Sequence, residues 1–308
     1  MNGLRGAKIL ITGPTSQVAF PLARVLARDN EVHGLARFKR EEDRKRVEAI
    51  GVTCIAADLG SDTLDSLPDD YDYVLNFAVA KSGVFADDLA ANAEGTGRLM
   101  SRCRSAKAFL HCSSAAVYEY AGQRPAAESD PLGDNHRVMF PTYSIAKIAA
   151  ETVVRFSARE FGVATTIVRL SVPYGDNGGW PWFHLMMMQG GAPIPIHPDA
   201  PNVYNPLHED DYIAQVPKLL EIASIETTTL NWGGEAASIE EWCAYLAELT
   251  GLEAKLEHRN DTLGALPLDL TRMHELVGPA QTPWRDGLRR LVQARNPELL
   301  EQRTSTRE

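Results

Sequence analysis

Tyr143 and Lys147 lie four residues apart in Tyr143-Ser-Ile-Ala-Lys147, a spacing that puts both side chains on one face of a helix. An ammonium beside a phenol favours the phenolate, lowering a pKa that is about 10 when unperturbed. A phenol tuned in this way can donate a proton to a carbonyl oxygen or take one from an alcohol. Tyr–Lys pairs at this spacing are also common on solvated helices, so a second signal is needed. Ser113 and Ser114 supply one, because they directly follow the apolar run Lys107–Cys112. A hydroxyl at the carboxyl end of a strand is placed to donate to a developing alkoxide. A third candidate is the turn Gly13-Pro14-Thr15-Ser16-Gln17-Val18-Ala19. Between a strand and a helix, such a turn can offer backbone N–H groups and a helix N-terminus to a pyrophosphate. Only Gly13 is glycine there, with Ser16 and Ala19 at the other two small positions, so this motif alone is weak.

Those residues need a scaffold, and the apolar pattern predicts one. Lys8–Thr12 reads as a strand, Val18–Arg28 as a helix, Glu31–Ala36 as a strand and Arg40–Ile50 as a charged helix. Strands follow at Val52–Ala56 and Tyr71–Phe77, then a helical stretch to about Arg104 and the strand Lys107–Cys112. An amphipathic helix over Tyr143–Phe161 leads into the strand Ala164–Leu170. Alternation of this kind implies βαβ crossovers and a parallel sheet covered on both faces, with the ligand at the carboxyl ends of the strands. The fold class is therefore α/β, a doubly wound parallel sheet.

The texture changes after Ser171. Pro173 to Pro206 is rich in Gly, Pro, Trp and Met, with too many breakers for a long regular element. Thr228–Trp232 reads as a strand, Ser238–Thr250 as a helix capped by Ser238 with Glu241 three residues on, and Trp284–Ala294 as a last helix. The expected division is residues 1–170 as the main domain and 171–308 as a smaller lobe with segments returning to it.

With 308 residues, 44% hydrophobic and 23% charged, the chain has ample material for a core. A net charge of −10 would repel the phosphates of nucleic acid or of an anionic membrane surface. Cys54, Cys103, Cys112 and Cys243 include no CxxC pair and read as reduced thiols of a cytoplasmic protein. No apolar run reaches membrane-spanning length, and the eight histidines form no metal-ligand pattern.

Taken together, these motifs resemble the extended (atypical) short-chain dehydrogenase/reductase family, in its NAD(P)-dependent epimerase/dehydratase-like branch. The resemblance rests on the Gly13 turn, Asp58-Leu59, Asn76-Phe77-Ala78-Val79-Ala80-Lys81, Asn92-x-x-Gly95-Thr96 and Ser113-Ser114-Ala115-Ala116-Val117-Tyr118. It continues through Tyr143/Lys147, Arg169…Pro173-Tyr174-Gly175, Asn205–Asp211 and Trp284-Arg-Asp-Gly-Leu288. It implies a Rossmann domain with a C-terminal substrate-binding lobe, Tyr143 as general acid/base, Lys147 also on the nicotinamide ribose, and Ser114 on the substrate oxygen. Gly13, Ser16, Gln17 and Val18 would meet the cofactor phosphates and Asp58 the adenine, with Leu59 beside the ring. Phe77 and Ala78 would line the cofactor, Lys81 would reach toward it, and Asn92 would sit behind the nicotinamide. The family commonly forms a homodimer through helices matching Asp87–Arg104 and Tyr143–Phe161.

The family's acidic position at the end of the second strand falls on Ala36, followed by Arg37. A guanidinium there grips a 2′-phosphate, so the expected cofactor is NADP, with NAD as the alternative and Arg37 as the phosphate ligand. Members acting on nucleotide sugars usually carry an asparagine where this chain has Val172 and an arginine where it has Tyr204. A late arginine is matched loosely by Arg259, and the acid pair of dehydratases is replaced by Ala115-Ala116. Trp180, Trp182, Phe183, Met186, Met187 and Met188 offer an apolar stripe instead. The leading expectation is accordingly a ketoreductase or alcohol dehydrogenase acting on a fairly apolar small molecule. The alternative is a nucleotide-sugar epimerase with tightly held NAD, and a third reading is a cofactor sensor or scaffold without turnover.

Overall fold

The computed structural model describes residues 4–61 and 63–300. Its largest feature is a seven-stranded parallel sheet. The strands are β1 (Lys8–Thr12), β2 (Glu31–Ala36), β3 (Thr53–Ala56), β4 (Tyr73–Asn76), β5 (Ala108–Ser114), β6 (Thr165–Leu170) and, much later in the chain, β12 (Thr228–Trp232). Their spatial order is β12-β6-β5-β4-β1-β2-β3, which reverses direction between β1 and β4. That reversal opens a crevice at the carboxyl ends of the strands, the ligand position in doubly wound folds. The expected fold class is observed.

The chain separates into two compact units. The first comprises residues 1–117, 132–169 and 213–230; the second comprises residues 118–131, 170–212 and 231–308. In the first unit the helices are α1 (Ala19–Leu26), α2 (Glu41–Glu48), α3 (Phe85–Leu89), α4 (Gly95–Arg102) and α5 (Tyr143–Phe161). Sheet residues Leu10, Leu35, Val74, Phe109 and Ile167 share a buried core with Leu99 and Met100 of α4 and Val154 and Ala158 of α5. These helices place apolar residues at helical spacing, which is why their inner faces can fill the space above a pleated surface.

Two expectations need correction. The helical stretch to about Arg104 is broken by a π-helical turn at Ala90–Glu94 and ends at Arg102. There the Thr96 hydroxyl donates to the Asn92 carbonyl at 2.7 Å, and Gly95 packs directly against the Leu59 carbonyl. A side-chain donor competing for a helix carbonyl is a local cause of such an irregularity, and π turns concentrate near functional sites.

In the second unit, β7 (Pro173–Gly175) and β8 (Gly178–Gly179) are followed by α6 (Trp180–Gln189), a ten-residue helix inside the stretch expected to be irregular. Gly179, at φ +127°, ends the preceding strand, and Pro181 falls in the first turn of α6, where its missing N–H costs nothing. The remaining elements are β9 (Ile194–Ile196), β10 (Val203–Tyr204), β11 (Leu207–His208), α7 (Glu209–Glu221, which runs on into the first unit), β13 (Ala237–Ser238), α8 (Ile239–Thr250), β14 (Leu256–His258), α9 (Thr271–Leu276) and α10 (Trp284–Arg295). The capping box expected at Ser238 and Glu241 is present at the start of α8. Among the described residues no helix is long and apolar enough to cross a membrane, and all four cysteines are free.

Candidate active site

In the first unit a cleft of about 280 Å³ opens at the carboxyl ends of β1 to β4. Its wall includes Gly13, Ser16, Arg37, Asp58, Leu59, Phe77, Ala78 and Asn92, eight residues singled out from the sequence. Gln17 and Val18 are not part of this wall; they belong to the turn that enters α1. Thr15, Phe38, Ala80 and Ala91 also line it, and no chemical signal in their residue types marked them in advance.

The wall is held from behind by polar side chains. The Thr12 hydroxyl donates to Asn76 Oδ1 at 2.6 Å and accepts from the backbone N–H of Phe77 and of Ala78 at 3.0 and 2.9 Å. Gly13, at φ +67°, brings its backbone against Ala78, where a Cβ would sit 3.1 Å from the Ala78 Cα. Asn92 uses its whole amide as a clamp. Its Oδ1 accepts from Ala80 N at 2.9 Å, and its Nδ2 donates to Ala80 O and Asp88 O at 2.8 and 2.7 Å.

Asp88 extends this support. Its buried carboxylate accepts from Ser82 N, Ser82 Oγ and Gly83 N at 2.9, 2.9 and 3.1 Å, and from Thr142 Oγ1 at 2.6 Å. Burial pushes this carboxyl up, but four donors outweigh the penalty and hold it below its ordinary range. One side chain thus ties the loop beyond β4 to the residue immediately before Tyr143.

Tyr143 opens α5, and Lys147 follows one turn later, as the spacing predicts. Ser114 ends β5; its Oγ accepts from Ala116 N at 3.1 Å, and its hydroxyl lies near enough to the Tyr143 phenol to favour the phenolate. The expectation that Lys147 lowers the phenol's pKa is not met in the free chain. Burial pushes Tyr143 up to about 12, with Ser114 pulling the other way. The Lys147 ammonium instead donates to the Cys112 carbonyl at 2.7 Å, and its own pKa is lowered by burial. The side chain is aimed by β5 rather than by the phenol, so the phenol rests in its protonated form.

Below this pair lies a buried ionic cluster that the sequence did not reveal. Glu151 Oε1 accepts from Ser113 Oγ at 2.7 Å and Arg169 Nε at 3.0 Å, while Oε2 accepts from Arg169 and Arg155 at 2.9 and 3.0 Å. It joins α5, the end of β5 and β6 at the level of Ser113, next to Ser114.

Arg37 stands 4.0 Å from Asp58, and both carry partly exposed side chains on the cleft wall. Asp58 is also fixed by Gly60 N, which donates to it at 2.9 Å. Lys81 lies over the Phe140 ring at 4.8 Å. The wall fits a nicotinamide dinucleotide: a positive-φ glycine turn before a helix, a carboxylate and a guanidinium at one end, and apolar backbone-lined walls.

In the second unit the apolar stripe splits. Trp180 packs against His184, Tyr204 and Trp242, with ring centroids 5.4, 5.0 and 5.9 Å away. Met188 is buried, whereas Phe183 and Met186 are 57% and 47% exposed. The stripe is thus partly this unit's own core, a correction to the expectation of one substrate-lining surface. Tyr204 is buried in that cluster and donates to the Gly264 carbonyl at 2.6 Å. Arg259 is exposed and paired with Asp261 at 2.8 and 2.6 Å.

Comparison with known proteins agrees with this geometry. Over 94% of its length the chain is 25% identical to a trifunctional UDP-glucose 4,6-dehydratase/UDP-4-keto-6-deoxy-D-glucose 3,5-epimerase/UDP-4-keto-L-rhamnose-reductase of Arabidopsis thaliana, and it spans 47% of that relative. The chain therefore covers about half the length of this curated relative. Similar solved structures include UDP-glucuronic acid 4-epimerase of Bacillus cereus in complex with UDP-glucuronic acid and NAD. It shows TM-score 0.80 and 20% identity, covering 96% of this chain and 99% of that one. UDP-N-acetylglucosamine 4-epimerase of Methanobrevibacter ruminantium M1, in complex with UDP-N-acetylmuramic acid, shows TM-score 0.81 and 16% identity over 96% and 100% of the two chains. The model of the NAD dependent epimerase/dehydratase family matches residues 9–222, a span that carries the glycine turn, the cleft wall, Ser114, Tyr143 and Lys147. The chain is a member of the NAD dependent epimerase/dehydratase family.

Proposed function

We propose that this protein interconverts a ring alcohol and its ketone on a nucleotide-linked sugar, as an epimerase does, with a nicotinamide dinucleotide held in the cleft of the first unit. The observation that carries the reading is the meeting of Tyr143, Lys147 and Ser114 at the end of β5, in the same unit as that cleft. When bound, the nicotinamide supplies the hydride acceptor and donor. Tyr143 takes the hydroxyl proton as the alcohol becomes a ketone and returns it on reduction. Ser114 donates to the same oxygen, and Lys147, fixed by the Cys112 carbonyl, would hold the cofactor ribose. Reduction of the ketone from the opposite face would give the epimer. The nucleotide-sugar complexes of the similar structures support this substrate class over the apolar ketone expected from the sequence. Ala115 and Ala116 are buried and carry no acid for a dehydration step.

A second reading, a carbonyl oxidoreductase whose substrate carries no diphosphate, draws on the second unit. Val172 offers no donor, Tyr204 is committed to the Gly264 carbonyl, and Arg259 is paired with Asp261. Arg37 on the cleft wall makes NADP acceptable beside NAD in either reading.

The test is incubation with NAD and UDP-glucose or UDP-glucuronic acid, with the products resolved by NMR. Formation of the C4 epimer by the wild type, lost by about 10²-fold or more in Tyr143→Phe, supports the first reading. NADPH-dependent reduction of simple ketones with no sugar turnover supports the second.

A further inference from the structure

Four side chains behind the cleft wall, those of Thr12, Asn76, Thr96 and His111, share one hydrogen-bond network. Thr12 Oγ1 accepts from the N–H groups of Phe77 and Ala78, so its own proton goes to Asn76 Oδ1. The Asn76 amide must then offer its nitrogen to its other two neighbours. One is Thr96 Oγ1 at 3.0 Å, whose proton is committed to the Asn92 carbonyl. The other is His111 Nδ1 at 3.1 Å, which faces Asn76 in the register of β4 and β5. An amide N–H only donates, so Nδ1 must accept, and the ring is neutral with its proton on Nε2.

That choice of tautomer is unfavourable for the ring itself. Nε2 is buried and has no partner among the described residues, and a stranded N–H destabilises a fold. Burial, helped by the Lys147 charge, also holds the imidazole down to about 3, which agrees with a neutral ring. An apolar side chain would avoid the stranded N–H, but it could not supply the acceptor at Nδ1. The network completed by that acceptor holds four residues of the cleft wall. Phe77 and Ala78 are held through Thr12, and Asn92, which clamps Ala80, is held through Thr96. The next residue of β5, Cys112, takes the Lys147 ammonium on its carbonyl. Two adjacent residues of one strand thus place the cleft wall and the lysine relative to each other. Resting on the nicotinamide cleft of the proposed function, we infer that His111 is a positioning residue, which through Asn76 fixes the wall that the dinucleotide lies against, in register with Lys147.

Titration with NADH, followed by nicotinamide fluorescence on protein freed of co-purified dinucleotide, tests this. His111→Phe keeps a ring but no acceptor, and should weaken NADH about tenfold, roughly 1.4 kcal/mol. His111→Asn places an oxygen where Nδ1 stood and should recover most of the loss, which a role in packing alone would not produce. A second measurement needs no folded Phe variant. In wild-type protein carrying isotopically labelled histidine, the ring nitrogen resonances that His111→Asn removes should be those of a neutral imidazole protonated on Nε2. Unchanged NADH affinity in His111→Phe, equal losses in the Phe and Asn variants, or a wild-type ring protonated on Nδ1 overturns the inference and leaves the proposed function standing. A wild type that binds no NADH overturns the proposed dinucleotide cleft and this inference with it.

Discussion

Replacing Glu151 by glutamine removes the charge from a carboxylate that has no access to water. The carboxylate is fully buried, accepts from Ser113 and Arg155, and pairs with the equally buried Arg169 through both oxygens. A carboxamide keeps the shape but has a single acceptor oxygen, so its amino group must face at least one donor and Arg169 loses its counter-charge. Breaking a buried ion pair from one side costs about 3–5 kcal/mol, because the remaining charge is stranded. Total stability is about 5–15 kcal/mol, so the loss is large. At about 2–4 °C per kcal/mol, Glu151→Gln should lower the melting temperature by at least roughly 6 °C.

The pH dependence has a definite sign. Burial pushes the Glu151 carboxyl up, but Arg169, Ser113 and Arg155 together hold it below its ordinary value. Its contribution is therefore present above the unfolded-state pKa, about 4.3, and is lost as pH falls through the lower folded value. Wild type and Glu151→Gln should differ most near pH 7 and converge in acid, read as melting temperature by scanning calorimetry. A neutral-pH difference under about 2 °C, less than 1 kcal/mol on the same scale, would refute the idea that this carboxylate is a dry, paired charge. Replacing Glu151 and Arg169 together by leucine should recover part of the loss, since apolar substitutes for a whole pair are often neutral.

Three further expectations follow from the site. Asp88→Asn places an amide where four donors converge; a loss of about 1.5–3 kcal/mol in urea unfolding is expected, with kcat falling further than stability accounts for. Gly95→Ala drives a methyl into the Leu59 carbonyl. Unfolding should show a cost of about 1–3 kcal/mol, and weaker dinucleotide binding should follow because Leu59 lines the cleft. Arg37→Ala should lower the affinity ratio of NADPH to NADH about tenfold in a nicotinamide fluorescence titration; an unchanged ratio would remove Arg37 from phosphate recognition.

Local signals carried far in this chain. Strand and helix alternation, set by apolar periods of two and of 3.6 residues, determines the doubly wound sheet. The spacing of Tyr143 and Lys147, and the serines after an apolar strand, were legible because helix and strand periodicity alone puts them on one face or at one end. The Ser238–Glu241 capping box was legible for the same reason: it closes within four residues. What the tertiary structure decided depends on contacts across long stretches of chain. Lys147 turns to the Cys112 carbonyl rather than acting on the phenol, because β5 packs beside α5. Glu151 finds Ser113 and Arg169 from residues 38 and 18 positions away. Tyr204 and part of the Trp/Met stripe close on each other in a core of their own, which no single-residue preference distinguishes from a substrate wall. Hydrophobic type says that a side chain will be covered; only packing says by what.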